Sequence, residues 1–302
     1  MSFPRLQALF ANPKGGEGWL AARIRADELI LAHAARTAAD RPVVTLCESF
    51  PLTEFKAAGR FNRYSVSCLL NAEEYQLFSS DVPAVPKDEM KQAARWKIKD
   101  LIDYGIEEAT VDLLDVPGGK DGKGRSLMVV AARNAIIREK IRRFSKMGLP
   151  LSAIDIPEVA QRNIATLMEK GDQGIAMLSI SEEGGLLTFS CKGELYFTRR
   201  IDAALKLEEG EEGKRQLERI TLELQRSLDF FDRQYHAIPV PRLILAPFPG
   251  AAEMMEYLSA NLYVPVQMAD LNELFEFPES LSQEKQSGYF LLLGGALRKA
   301  VS

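Results

Sequence analysis

The sequence predicts an α/β protein of two lobes. Two observations carry this. Short apolar strands alternate with amphipathic helices throughout the chain, and a similar series of strands and helices recurs in each half. At 302 residues the chain is also too long for one simple core, so two or more packed units are expected.

In chain order, Trp19 to Ala35 reads as a hairpin. Two apolar runs, Trp19 to Ile24 and Leu29 to Ala34, flank the polar turn Arg25-Ala-Asp-Glu28. Val43 to Cys47 and Tyr64 to Leu70 are further strands. Pro86 opens a helix on which Met90, Ala94, Ile98 and Leu101 recur at helical spacing. Ala109 to Val116 and Ser126 to Ala132 are strands joined by a glycine-lysine loop. A helix follows over Asn134 to Met147, closed by Gly148, where a left-handed residue is easiest. Leu151 to Ile156 is a strand leading into a helix over Pro157 to Glu169.

In the second half, Gly174 to Ile180, Gly185 to Ser190 and Glu194 to Ile201 are three strands. The acidic stretch Glu208 to Gly213 leads into a long helix ending near Tyr235, and acidic residues suit a helix N-terminus. Leu217, Ile220, Leu224, Leu228, Phe231 and Tyr235 form one apolar stripe on that helix. Arg242 to Ala246 is a strand, Ala251 to Asn261 a helix, and Val264 to Met268 a short strand.

Bulk properties narrow the function. Hydrophobic residues make up 46% and charged residues 26%, as in ordinary globular proteins, and the net charge of −4 argues against nucleic-acid binding. The longest apolar run, Tyr289 to Leu297, is about half of the roughly 20 residues a membrane span requires and fits a buried core segment. The N-terminus lacks the layout of a secretory signal. Three cysteines, Cys47, Cys68 and Cys191, lack metal-ligand spacing, and an odd number suits a reducing compartment. With His33 and His236 the only histidines, neither a zinc site nor a His-based triad is readily built, so no metal and no catalytic residue is expected. The expected address is the cytosol.

Four segments have a chemical look. Gly119-Lys-Asp-Gly-Lys-Gly124-Arg125-Ser126 nearly spells a phosphate-binding loop, but that motif needs a helix after it and a lysine where Arg125 stands. A strand follows here, so a hairpin tip is expected. Ser179-Ile-Ser-Glu-Glu-Gly-Gly185 joins two strands through a turn whose amides could hold a phosphate, although a plain hairpin turn is favoured. Asn134 to Lys146 carries Arg138, Lys140, Arg142, Arg143 and Lys146 around Ile137, Ile141 and Phe144. That face is either simply solvated or a site for an acidic partner or anionic lipid. Trp96 lies off the apolar face of its helix and either packs on a neighbouring lobe or meets a partner.

Three stretches together resemble the PilM family of type IV pilus assembly proteins, most closely its MshI branch from the mannose-sensitive haemagglutinin (MSHA) pilus. The first is Ala94 to Tyr104 with Ile106 to Asp112. The second is Met128 to Arg133, running on to Met147-Gly-Leu and Ala153 to Glu158. The third is Leu224 to Phe231, with Tyr257 to Leu262 and Val264-Pro-Val beyond it. Leu293-Gly-Gly-Ala-Leu-Arg298 is similar to that family's closing helix. The likeness covers about two-thirds of the chain.

The resemblance implies an actin-like ATPase fold, ribonuclease H-like, with two lobes and an inserted small α/β subdomain. The first lobe would be residues 1–64 with 151–170 and 286–302 returning to it, the subdomain 65–150, and the second lobe 171–285. It also implies a cytosolic body that binds ATP and grips the N-terminal tail of a PilN-like inner-membrane partner, alongside other pilus-assembly components. The cytoplasmic domain of the type II secretion protein GspL is a nucleotide-poor relative.

The chain departs from that family's phosphate loops. The family's first loop has an Asp-x-Gly pattern, whereas Ala22 to Glu28 here lacks a glycine. Its second strand carries an aspartate before the turn glycine, whereas Leu178-Ser-Ile-Ser181 has no carboxylate. Ala246-Pro-Phe-Pro-Gly250 stands in for a Gly-Gly pair near the adenosine. Glu182, Glu183 and Asp27 remain nearby in sequence without occupying the family positions. Magnesium-bound triphosphate needs carboxylates and closely approaching amides. The expectation is therefore a non-catalytic scaffold without cofactor, peripheral at the inner membrane through its partners. ATP with magnesium in an active family member is the alternative, and a sugar or metabolite kinase of the same superfamily a third, disfavoured by the lack of an aspartate base. Any vestigial nucleotide contact carried over falls on Ser179, Ser181, Glu183, Gly184, Gly185, Gly250, Gly294 and Gly295. The partner surface is expected at Trp96, Arg138 and Arg142.

Overall fold

The computed structural model describes residues 18–36, 41–82, 85–117, 125–203 and 210–298. The first sheet starts from β1 (Trp19–Arg25), β2 (Glu28–Ala35) and β3 (Val43–Pro51), then takes in β4 (Ser65–Leu69). A small sheet follows with β5 (Gln76–Val82), helix α1 (Lys87–Ile98), β6 (Ala109–Val116) and β7 (Arg125–Arg133). Helix α2 (Asn134–Lys146), strand β8 (Leu151–Asp155) and helix α3 (Pro157–Ala165) lead back to the main body. The second half begins with β9 (Ile175–Ser181), β10 (Gly184–Cys191) and β11 (Glu194–Ile201), then α4 (Gly210–Gln234) and β12 (Leu243–Leu245). It closes with α5 (Ala251–Asn261), β13 (Val266–Met268), α6 (Leu271–Leu274) and α7 (Gln283–Ala296).

The two large sheets share one plan. Their orders are β3-β2-β1-β4-β8 and β11-β10-β9-β12-β13, each an antiparallel triplet extended by two parallel strands. Of the parallel additions, β8, β12 and β13 are reached through the helices α2, α4 and α5, while β4 follows β3 through a non-helical connection over 52–64. The small sheet, β5-β7-β6, is wholly antiparallel.

Period-two alternation divides each sheet between two cores. On β1, Ala21 faces the central core with Ala160, Ile164, Met177 and Leu293, while Leu20, Ala22 and Ile24 face an outer core with Phe61 and Phe144. On β9, Ile175 and Met177 face the central core, and Ala176, Leu178 and Ile180 face the core covered by α4 and α5. Strands buried on both faces read as continuous apolar runs, which is why they stand out in sequence. Helices α3 and α7 pack on each other in the central core. On α4, Leu217, Ile220, Leu224, Leu228 and Phe231 are buried as the stripe predicts, and Phe231 stacks on Phe189 with centroids 4.6 Å apart. Gly148 closes α2 at φ +77°.

Several expectations are corrected. Helix α1 ends at Ile98, so Leu101 is 60% exposed and Ile102 takes its place in the core. Helix α3 ends at Ala165 rather than Glu169. Strand β1 runs through Arg25, and the turn is Ala26-Asp27, with Ala26 left-handed at φ +49°. Strand β5 has no counterpart in the sequence reading. It is an edge strand pairing only with β7, and Gln76–Val82 holds a single β-branched residue, Val82, where strands are usually marked by several. The glycine-lysine loop over 118–124 and the acidic start of the long helix over 204–209 lie outside the described residues.

Candidate functional site

The β1–β2 and β9–β10 hairpins bring their ends together, and the residues that meet there are charged. Arg23 and Arg25 alternate with Ile24 on β1 and share the strand face of Ala21. Arg23 forms an ion pair with Glu183 in the β9–β10 turn, and their side chains are only 8% and 17% exposed. The other Glu183 oxygen, Oε2, accepts the Ala72 amide at 2.9 Å. Arg23 Nε donates to Asn71 Oδ1 at 3.0 Å, and Arg25 pairs with Glu182 at 2.8 Å nearer the solvent. Both oxygens of Glu183 are thus engaged.

This polar chain continues through the segment after β4. The Asn71 amide donates to Glu74 Oε2 at 2.8 Å, and Glu74 Oε1 holds Lys140 of α2 at 2.6 Å. Lys140 is buried, so it leaves the solvated basic face on which the sequence places it. A buried ammonium needs a paired carboxylate, and Glu74 supplies it.

A second buried cluster joins the strand triplet of the second half to α3. Tyr75 Oη donates to Glu158 Oε2 at 2.5 Å, and Arg200 of β11 donates to Glu158 Oε1 at 2.9 Å and to the Tyr75 hydroxyl. Burial pushes the Tyr75 phenol well above its usual range, and the Glu158 carboxylate beside it adds to this. Asp155, at the end of β8, is held by Arg298, whose guanidinium lies 5.1 Å over the Trp19 ring. Burial raises the Asp155 carboxyl and Arg298 opposes that shift.

The sequence-predicted residues fall into three groups. Ser179, Ser181, Glu183, Gly184 and Gly185 gather at the β9–β10 turn. Ser179 Oγ donates to Gln161 Oε1 at 2.5 Å, while the Gln161 amide donates to the Met177 and Leu186 carbonyls and to Thr188 Oγ1. Gln161 is completely buried and ties α3 to β9 and β10. Ser181 Oγ accepts the Glu183 amide at 3.2 Å, and Gly184 takes φ +99°. A Cβ on Gly185 would lie 3.1 Å from Ile201 Cβ. The second group is Gly250, left-handed at the start of α5.

The last group sits in helices. Gly294 lets α7 touch α3, since a Cβ there would lie 2.0 Å from the Ala160 carbonyl oxygen. Asn163 Nδ2 donates to the Gly294 carbonyl at 2.9 Å. Gly295 abuts Ala21 and Leu69. Trp96 is 61% exposed with Lys99 Nζ 5.1 Å from its ring, so it does not pack on a neighbouring lobe. Arg138 is exposed, and Arg142 is engaged by Glu139 one turn away. Phe144 is core, whereas Ile141 stays exposed.

Arg23, Asn71, Glu74 and Gln161 escape sequence reasoning, because isolated polar residues on strands and helices read as solvent-facing. Among the described residues, no group of three His, Cys, Asp or Glu is placed to hold a metal ion. Cys47 and Cys68 are pushed up to about 12, by burial first, so they stay protonated thiols rather than nucleophiles.

Solved structures share this architecture. No protein-family description matches the sequence, and no curated protein does. The chain is similar to the PilM–PilN type IV pilus biogenesis complex with a TM-score of 0.70 and 20% identity, covering 92% of this chain and 96% of that one. It is similar to the cytoplasmic domain of EpsL, an inner membrane component of the type II secretion system of Vibrio cholerae. There the TM-score is 0.50 and the identity 13%, over 92% of this chain and 95% of that one. A Bacteroides thetaiotaomicron protein with actin-like ATPase fold and unknown function matches with a TM-score of 0.51 and 9% identity, over 87% and 94%. The fold is therefore actin-like, as the sequence resemblance implies.

Proposed function

We propose that this chain is a non-catalytic scaffold of a type IV pilus-assembly platform, of the MSHA type, that grips the cytosolic tail of a PilN-like membrane-anchored protein. One observation carries the non-catalytic half: the Arg23–Glu183 ion pair between the two hairpins. In an actin-like fold those hairpins are where nucleotide phosphates would lie. A carboxylate already spent on a guanidinium and an amide is not free to hold magnesium, and the Ser179 hydroxyl is spent on Gln161. The residues present do not fit a magnesium-bound triphosphate, so no catalytic step is assigned.

The partner half rests on the likeness to a structure that contains PilN and on the exposed Trp96. Among the described residues no helix is long and apolar enough to cross a membrane. Trp96 on α1 is the first position to test, since aromatic side chains are favoured interface anchors. Arg138 and Arg142 on α2, which packs on the other face of the small sheet, are a separate patch.

Calorimetry decides between this reading and an ATP-binding or ATP-hydrolysing protein. The N-terminal tail of the PilN-like protein encoded alongside is expected to bind and Mg-ATP to give no heat beyond dilution. Magnesium-dependent turnover abolished by Glu183→Gln would overturn the first half, and indifference to the tail the second.

A further inference from the structure

We propose that the C-terminal end of α4 and Tyr263 form a docking groove for a basic peptide segment of a second protein, one carrying an apolar side chain between cations. This groove is independent of the scaffold reading, which concerns the hairpins and the separate surfaces of α1 and α2.

The groove has a volume of about 350 Å³. Leu228, Phe231, Ile238 and Val240 supply its apolar floor. That floor is the outer edge of the core covered by α4. A volume of this size takes one or two side chains, near the lower end of the range for ligand pockets.

Three features give the rim its sign. Asp229 and Asp232 stand three residues apart on α4, so both carboxylates lie along the same side of the helix. Among the described residues, neither is held by a lysine or arginine side chain. Arg233, next to Asp232, sends its Nε to the Asp229 backbone carbonyl at 3.1 Å instead, and Arg226 pairs with Glu223. The groove also lies at the last turns of a 25-residue helix, whose carbonyl end carries negative partial charge. Carboxylates at a helix C-terminus are placed against the macrodipole, an arrangement that a bound cation relieves.

Tyr263 forms the remaining wall. It is 62% exposed, yet its hydroxyl donates to Asp229 Oδ1 at 3.4 Å. Burial of the phenol and the Asp229 and Asp232 charges push it up to about 12, so it remains a neutral donor at physiological pH. An aromatic face beside two carboxylates suits a guanidinium, which stacks on the ring while donating to the oxygens. The apolar floor then takes the neighbouring side chain.

The test is fluorescence anisotropy on the full chain with a labelled peptide, acetyl-Lys-Arg-Leu-Phe-Lys-Arg-amide. Saturable binding is expected, weakened roughly tenfold by Asp229→Asn with Asp232→Asn and weakened again at about 0.5 M salt. Tyr263→Ala should lose binding and Tyr263→Phe keep most of it. All these positions are exposed, and unchanged thermal midpoints would show that the fold is intact. Three results overturn the proposal: no saturable binding, equal affinity for Glu-Glu-Leu-Phe-Glu-Glu, or an unaltered affinity in the double asparagine variant. Binding of free arginine as tight as that of the peptide also overturns it, because the site would then be a small-molecule pocket.

Discussion

Arg23 and Glu183, 160 residues apart in sequence, form a part-buried ion pair that fastens strand β1 to the β9–β10 turn. Arg25 and Glu182 repeat the pairing nearer the solvent. The two differ mainly in exposure, and so their energetic weights should differ.

Arg23→Ala leaves Glu183 buried without its cation and is expected to cost roughly 3 kcal/mol, whereas Arg25→Ala costs under about 1 kcal/mol. Urea denaturation of both variants checks this. Equal shifts in midpoint would mean that the inner pair does not lock the hairpins.

His33 predicts the acid limb of the stability curve. Its ring is buried, with Nδ1 2.6 Å from Thr45 Oγ1 and the Tyr64 ring 4.6 Å away. Burial, helped by the Arg63 charge, lowers its pKa from 6.5 to about 4. Between those values the unfolded chain binds a proton that the folded chain refuses, so stability rises with pH. The contribution is complete above the unfolded value and lost as pH falls toward about 4, by roughly 3 kcal/mol in total. Melts from pH 7 down to pH 4 should show a shallower decline for His33→Gln than for the native chain. Parallel curves would assign the acid limb to other groups.

Two glycines of α7 should answer oppositely to alanine. Gly294→Ala drives a methyl into the Ala160 carbonyl and forces α3 and α7 apart, so folded protein is expected to be lost or destabilised by several kcal/mol. At Gly288 an added methyl would meet nothing within 4 Å, and Gly288→Ala should stabilise by about 0.5–1 kcal/mol through helix propensity. Thermal midpoints separate the two. A neutral Gly294→Ala would contradict the close helix contact.

Trp96→Ala is expected to leave stability within about 0.5 kcal/mol, since the ring is largely in solvent. The same substitution should abolish or strongly weaken capture of the PilN-like tail. Retained capture would move the partner surface elsewhere.

By itself, the sequence determined most of the strand and helix order, because strands buried on both faces and the α4 stripe carry their periodicity openly. It also marked Gly148 as a helix stop and the β9–β10 turn as a place where Ser181, Glu183 and Gly184 meet. The edge strand β5, with pairing on one side only, carried no such signal.

What only the tertiary structure decided is which polar residues go inside. Arg23, Lys140, Glu158 and Gln161 are all buried, and each is tolerated there because a partner distant in the chain meets it: Glu183, Glu74, Arg200 and Ser179. Burying a charge or an amide is costly until its partner is in place. That partner is set by how the two sheets, α2 and α3 come together, and local periodicity holds no record of it. For the same reason Leu101 reads as core in sequence, and only the end of α1 at Ile98 leaves it in solvent, whereas Trp96 lies within α1, off its apolar face, and is exposed.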